Sequence, residues 1–504
     1  MEGLNHLFSG KGKAERLLFA LLFATSLVIL GLRVVLATSY LPETGGVSIN
    51  VVYGVERILH GENLYADPEK PPFPIIQYMP LHFKLVQLCC NLFMIGESPY
   101  LVSMTNRFVC LGLDIICMSV IAIFLIRIIG LRALWGWILA FIYFVSLPSI
   151  VYARADNLYL LFFTLATCLI LRYLLRKPEA IELEAKNSLR NLFGAGTLAA
   201  LALFTKQTGI FLPCFATLYL LAIESDKKAP VYFLGGLGVT SLLLVFVADS
   251  GNLLEMKLNV VDGLKNGISF SWFAEVILKN YFLKYSFLLA AGFLIAFQLL
   301  QHQHDRSASL FIGGAMMFFF CMASLAALKA GSGSNYYLEF IILLLLGAGV
   351  LLRHNHELPG RFTLYASALL PFFMIASAND KGWGDLKKME AAKSMYKECE
   401  MAAEYIRPRL SKDEWVLTDF HKENHLNLML CDKALFPCRE VAVDFTWPKG
   451  VFNFNAFGRL HKEGKIRYYV CSNGNFPTSL LNVSMTGFDP DTTIGTIQIY
   501  RYNQ

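Results

Sequence analysis

The chain has 504 residues, of which 55% are hydrophobic and only 16% charged, with a mean hydropathy of +0.49. Soluble domains carry about 25% charged residues, so this composition excludes a water-soluble enzyme and points to a protein that spans a bilayer many times. The net charge of +6 is spread over basic clusters that flank apolar runs, which suits membrane edges and not a nucleic-acid partner.

In chain order, apolar runs able to cross a hydrocarbon core of about 30 Å fall at 17–36, 103–126, 133–150, 157–175, 191–205, 209–223, 231–248, 284–300, 308–328, 338–352 and 362–377. The first contains Arg33 and no small-residue cleavage site, so it reads as a retained span and not as a signal peptide. The run at 79–95 decides the topology. It starts at Pro80, carries His82 and Lys84, and is short for a span. If it does not cross, the clusters Lys11–Lys13–Arg16, Arg127–Arg132, Arg172–Arg190, Lys227–Lys228, Arg306 and Arg353–Arg361 all fall on one side. The other side keeps only isolated cations, among them Arg154, Lys206 and Lys329. The positive-inside rule then makes 79–95 an interfacial helix on the outer surface, with the N-terminus cytoplasmic and the C-terminal region outside.

The expected architecture is a polytopic α-helical membrane domain over 1–377 with about eleven transmembrane helices. Its first exoplasmic loop, 37–102, holds juxtamembrane helices. A small exoplasmic α/β domain follows over 378–504. In it, 384–407 reads as an amphipathic helix, 415–418, 466–471 and 493–500 as strands, and 422–430 as a helix. Cys399, Cys431, Cys438 and Cys471 lie there, and one or two disulfides of unreadable pairing fit an oxidising compartment. Asn482-Val-Ser484 matches a glycosylation acceptor, a weak tripeptide signal.

The outer loops are short and chemically dense. The first carries Glu43 on a Thr44-Gly45-Gly46 knuckle, where the glycines let a bulky ligand approach the backbone. Tyr78 closes the same loop, whose Glu56, Glu62 and Asp67 read as ordinary solvated acids. Then come Tyr152-Ala-Arg154-Ala-Asp156-Asn157, Phe204-Thr-Lys206-Gln207-Thr-Gly209 and Gly331-Ser-Gly-Ser-Asn335-Tyr336-Tyr337-Leu-Glu339. Each has a plain alternative. Arg154 and Asp156 pair with each other or with headgroups, Lys206 snorkels at a hairpin tip, and Asn335-Tyr336-Tyr337 forms an interfacial aromatic belt. Yet an acid beside cations at a lipid interface also suits reaction on a lipid-linked phosphate. There the acid takes a proton from an attacking hydroxyl and the cations stabilise the departing phosphate. His302 and His304 fall on the inner side by this topology, away from that chemistry.

Taken in order, ETGG at 43–46, GENLYADP at 61–68, PPFPIIQYMPLHF at 71–83, ARADNL at 153–158, FTKQTG at 204–209 and GSGSNYYLE at 331–339 resemble the GT-C superfamily of integral membrane glycosyltransferases. The branch is that of bacterial relatives of the protein mannosyltransferase and lipid A aminoarabinose transferase families. The resemblance implies an inverting glycosyltransferase that uses a polyprenyl-phosphate sugar donor and a glycan, lipid or protein acceptor. It places Glu43 as the general base, where many members have Asp or an Asp-Glu pair, and Asp156 at the second acidic position. Lys206 and Arg154 match positions near the donor phosphate, while Tyr78, Gln207, Asn335, Tyr336 and Glu339 are expected to shape the sugar and acceptor pocket. With one acid per loop, no metal and no other cofactor are expected. The implied location is a bacterial inner membrane, with the C-terminal domain periplasmic. A lipid-linked saccharide flippase would instead favour an internal repeat and mid-span polar groups, and an inactive homologue serving as an assembly partner is the third reading.

Overall fold

A computed structural model describes residues 13–42, 48–96, 98–176, 182–248, 252–354, 381–418, 425–438, 449–472 and 486–503. Glu43, the run 362–377 and the Asn482-Val-Ser484 tripeptide lie outside the described residues.

The other ten apolar runs coincide with helices. In chain order the helices are α1 (Lys13–Ala37), α2 (Ser48–Leu59), α3 (Pro80–Leu92), α4 (Pro99–Arg127), α5 (Ala133–Ser146), α6 (Asp156–Leu174) and α7 (Glu182–Leu203). They continue with α8 (Phe211–Ala222), α9 (Lys228–Ala248), α10 (Leu253–Val260), α11 (Phe270–Phe282), α12 (Ser286–Gln301), α13 (Arg306–Ala327) and α14 (Leu338–His354). Among the described residues six helices are long and apolar enough to cross a bilayer, or seven if α11 and α12, bent by 83°, are one broken span. Apolar α5 and α8 are shorter. The spans pack through one apolar core in which α14 is the most enclosed, with Phe340, Ile341, Ile342, Leu345 and Leu346 all 0% exposed.

Helix α3 has 13 residues, about 20 Å at 1.5 Å per residue, too short to cross about 30 Å of hydrocarbon. Pro80, His82, Phe83, Val86 and Cys90 are buried against the protein, while Leu88, Leu92, Phe93 and Met94 are exposed at its far end. That distribution is the one an interfacial helix needs. Gly54 of α2 makes the packing tight, since a Cβ there would stand 2.5 Å from the Phe83 ring.

The first loop is stitched down by its polar side chains. Asn50 donates to the Ile75 carbonyl (2.6 Å), the Tyr65 hydroxyl to the Tyr78 carbonyl (2.8 Å) and the Ile76 amide to Asn259 Oδ1 (2.8 Å). Glu56, expected to be a solvated acid, is instead 2% exposed, because it lies on the face of α2 that the C-terminal domain covers. Glu62 and Asp67 do lie toward solvent and pair with Arg57 (2.8 Å) and Lys70 (3.2 Å).

The C-terminal region adds α15 (Lys381–Leu386), α16 (Met389–Ile406), α17 (Leu426–Leu430) and α18 (Asn455–Lys462) around five strands: β1 (Trp415–Thr418), β2 (Ala434–Leu435), β3 (Ile466–Ser472), β4 (Phe488–Ile494) and β5 (Ile497–Tyr502). The sheet order is β2-β1-β3-β5-β4, parallel on the β2-β1-β3 side and antiparallel across β3-β5-β4. The single strand expected at 493–500 is a hairpin, because Gly495 turns the chain at φ +58°. The helix expected over 384–407 is interrupted between Leu386 and Met389. No disulfide joins any of the eleven cysteines, contrary to the expectation for the C-terminal four. Their thiols are distributed over three apolar clusters: Cys399 in one, Cys431 and Cys438 in a second, and Cys471 in a third.

The domain rests on the first loop. Phe73 stacks on Phe436 (centroids 4.9 Å apart) and meets Phe454 edge-on at 5.7 Å, while the Phe436 amide donates to the Pro72 carbonyl (2.8 Å). Residues 48–95 therefore lie between the spans and the sheet domain.

Candidate active site

Three turns that join span ends converge on one buried point. The first turn runs from the 3-10 turn Ser149–Val151 into α6, whose first residue is Asp156. Its carboxylate stands at the positive end of the helix dipole, a favourable place for an anion. The second is the hairpin between α7 and α8. A Cβ on Gly209 would lie 2.6 Å from the Ala202 backbone, so only glycine permits the close approach. Lys206 is held extended just ahead of the 3-10 turn Gln207–Ile210. The third is the 3-10 turn Ser334–Tyr337, which feeds Glu339 into α14.

At the point of convergence Lys206 Nζ donates to Asp156 Oδ1 at 2.6 Å, and Asn335 Nδ2 donates to the same oxygen at 2.7 Å. The ammonium also lies 4.9 Å from the Tyr336 ring centre and 5.6 Å from that of Tyr159. Asp156, Lys206, Asn335 and Glu339 are 1%, 4%, 5% and 2% exposed. Burial alone would discharge the lysine, but Asp156, Tyr336 and Glu339 outweigh it and hold its pKa above the ordinary value. Asp156 Oδ2 and Glu339 Oε2 are buried without a hydrogen-bond partner among the described residues. The site thus combines a fixed cation with two unfilled acceptors.

Tyr78 faces the same cluster. Burial raises its phenol pKa, Arg154 and Lys206 oppose the rise, and Asp156 and Tyr336 add to it. Arg154 is buried beside them, and its carbonyl accepts from the Cys110 thiol at 3.3 Å. Gln207 sits at the edge of the cluster. Its amide is spent on the backbone carbonyls of Gln77 and Val260, which ties the hairpin to the first loop and to α10. The structure therefore brings together Tyr78, Arg154, Asp156, Lys206, Asn335, Tyr336 and Glu339, with Gln207 as a brace at their edge.

Lys329 also belongs to this neighbourhood, although the sequence marked it only as an isolated cation. It is pinned by a bridge to Ile268, and burial followed by the nearby charge of Lys206 lowers its pKa to about 8. Its place two residues before the Gly331-Ser-Gly-Ser turn was the available signal. His82, in α3, bonds Asn106 Oδ1 at 2.9 Å and is held neutral by burial, its pKa lowered to about 4. Among the described residues no group of three or more His, Cys, Asp or Glu side chains is disposed to hold a metal ion, and Glu43 lies outside them.

No protein-family profile matches the chain, and no curated protein matches it. Solved structures do. ArnT from Cupriavidus metallidurans bound to undecaprenyl phosphate superposes with a TM-score of 0.58 at 13% identity, over 95% of this chain and 97% of that one. The arabinofuranosyltransferase AftD from Mycobacteria gives 0.55 at 13% identity over 96% of this chain and 40% of that one. The Archaeoglobus fulgidus oligosaccharyltransferase in complex with Zn and sulfate gives 0.56 at 12% identity over 96% and 73%. The likeness runs through both the spans and the C-terminal α/β region. This chain is an integral membrane protein with the GT-C fold.

Proposed function

We propose that the chain is an inverting glycosyltransferase that takes a sugar from a polyprenyl-phosphate donor and transfers it to a hydroxyl-bearing acceptor on the exoplasmic face. The observation that carries the reading is the buried Lys206–Asp156–Asn335 arrangement, a fixed ammonium at the ends of spans in a fold shared with ArnT, which was solved with undecaprenyl phosphate.

In this reading Glu43 takes the proton of the acceptor hydroxyl as its oxygen attacks the anomeric carbon. The bond from that carbon to the phosphate oxygen breaks, and the polyprenyl phosphate leaves with the electron pair. Attack opposite the leaving group inverts the anomeric centre. Lys206 and Arg154 neutralise the leaving phosphate. Lys329 adds a second ammonium whose lowered pKa makes an anion between it and Lys206 favourable. The unfilled oxygens of Asp156 and Glu339 accept hydrogen bonds from sugar or acceptor hydroxyls, beside the ring of Tyr336 and the phenol of Tyr78. The chemistry needs no metal in this scheme. The C-terminal domain, seated on the first loop, bounds the acceptor side.

The test is direct. Purified chain in lipid nanodiscs is given radiolabelled undecaprenyl-phosphate hexoses and pentoses, and release of undecaprenyl phosphate is followed. Glu43→Gln is expected to abolish release while the protein folds normally. Full activity in that variant overturns the assignment of the base, and no release from the unaltered chain with any donor favours the flippase or inactive-homologue readings.

A further inference from the structure

Helix α4 grips the turn that carries Asp156 along a single stripe. Asn106, Cys110 and Asp114 recur every fourth residue, the spacing that lines one helix face. Asn106 Nδ2 donates to the Ala153 carbonyl (3.0 Å), the Cys110 thiol to the Arg154 carbonyl (3.3 Å), and Asp114 Oδ2 accepts from Asn157 Nδ2 (2.7 Å). Asp114 is in turn held by Arg33 of α1, whose Nη2 donates to the same Oδ2 at 2.6 Å. The Arg33 guanidinium lies 4.3 Å from the Tyr152 ring centre. Arg33 is 3% exposed, and Asp114 and Asn157 are fully buried.

Such a network is a poor source of stability. Ion pairs taken out of water roughly break even against apolar side chains of similar volume, and ionisable groups at span depth are expensive. This one also leaves Arg33 Nη1, Asp114 Oδ1 and Asn157 Oδ1 without a hydrogen-bond partner among the described residues. What it does supply is direction. Successive side chains leave an α-helix about 100° apart, so a fixed Asn157 fixes the bearing on which Asp156 leaves the first turn of α6. Asn157 points to α4, and Asp156 points away from it to Lys206 and Asn335.

We propose that Asp114, clamped by Arg33, is a positioning residue that sets the Asp156 carboxylate through Asn157. The inference rests on the reading of Asp156 as part of the active site. Asp114 touches no reacting group in this scheme. It prevents the start of α6 from turning, and so keeps the Asp156–Lys206 and Asp156–Asn335 bonds in register with the leaving phosphate.

Four variants of the full chain in nanodiscs test this: Asp156→Asn, Asn157→Ala, Asp114→Asn and the reciprocal double Asp114→Asn with Asn157→Asp. Each is assayed with whichever undecaprenyl-phosphate hexose or pentose gives the faster release of undecaprenyl phosphate. Asn157→Ala and Asp114→Asn are expected to lower kcat about tenfold or more and to leave KM within about twofold, the pattern of a lost transition-state alignment. The reciprocal double keeps one carboxylate and one amide beside Arg33, and it is expected to recover about half of the lost kcat or more. A purely structural role predicts no such recovery. Wild-type kcat in Asn157→Ala, or a double variant no faster than the singles, overturns the positioning role when Asp156→Asn is inactive. Wild-type kcat in Asp156→Asn overturns the active-site reading itself, and the inference falls with it.

Discussion

Two buried carboxylates, Asp156 at the start of α6 and Glu56 within α2, live under opposite rules. Asp156 is surrounded by donors: Lys206 and Asn335 both bond its Oδ1. Glu56 of α2 is as deeply buried, yet neither of its oxygens has a hydrogen-bond partner among the described residues. Burial, only partly offset by Arg407, pushes its pKa well above the ordinary value, and Cys90, Cys431 and Tyr396 are the other titratable groups near it. The first acid is held charged beside a cation and is available to chemistry. The second is an acid at an interface, where burial disfavours its charged form. Burial alone therefore does not mark a functional acid. The identity of its neighbours does.

The sharpest way to break this contrast is to remove the cation from the first acid. Lys206→Met is expected to lower transfer by about 10²–10³, the scale of a lost charge-stabilising donor. It is also expected to lower the stability of the purified chain by about 3–5 kcal/mol, because Asp156 is left buried and unpaired. Transfer assays and thermal unfolding in detergent read the two effects, and an active, stable variant would place the working cation elsewhere.

Next in size is a pH effect on the rate. Lys329 loses its proton through about pH 8, so transfer is expected to fall about tenfold as pH rises through that value. Lys329→Arg stays charged over this range and is expected to remove the alkaline limb. A limb that persists in the arginine variant belongs to another group.

A smaller effect is expected at Glu56. Its raised pKa means that the native state holds the proton more tightly than the unfolded chain does. The resulting stability is full below the ordinary value of 4.5 and is lost as pH rises through the folded value. Glu56→Gln mimics the neutral acid, so it is expected to raise the thermal midpoint at pH 8 by a few degrees, to change little at pH 5, and to leave transfer unaltered. A loss of transfer in that variant would place Glu56 in the chemistry after all.

The smallest expected effect has the opposite sign. His82 is neutral in the native state with its pKa lowered from 6.5 to about 4. Its contribution is present above about pH 6.5 and is lost as pH falls toward 4. His82→Gln keeps a donor for Asn106 and is expected to flatten the acid side of the stability profile by about one degree or two.

The sequence was most legible where one physical rule acted alone. Apolar runs set the helices, and charge parity made 79–95 a surface helix of 13 residues rather than a span. It also put Asp156, Lys206 and Glu339 on one side, where the structure joins them. What stayed hidden depended on contacts between distant segments. Nothing local distinguishes Glu56 from Glu62, although the C-terminal domain covers one and leaves the other near solvent. Gln207 bonds the backbone carbonyls of residues 77 and 260, partners that nothing beside it in the chain announces. Asp114 and Arg33 sit 81 positions apart inside apolar runs, and single charges there carry no sign of which neighbour they meet. The β4–β5 hairpin was missed because its strands carry Pro490 and a turn glycine that interrupt the alternating pattern.

The seat of the C-terminal domain on the first loop bears on how this protein can be rebuilt. Phe73 and Ile75 belong to the same apolar cluster as Leu417, Leu435, Phe457 and Tyr469, so the sheet domain's core is completed by residues more than 300 positions upstream. A chimera that exchanges the segment after residue 380 for that of another protein would inherit a socket cut for a different plug. Residues 61–79 have to travel with it. The two segments form a single module that the chain happens to write in two places.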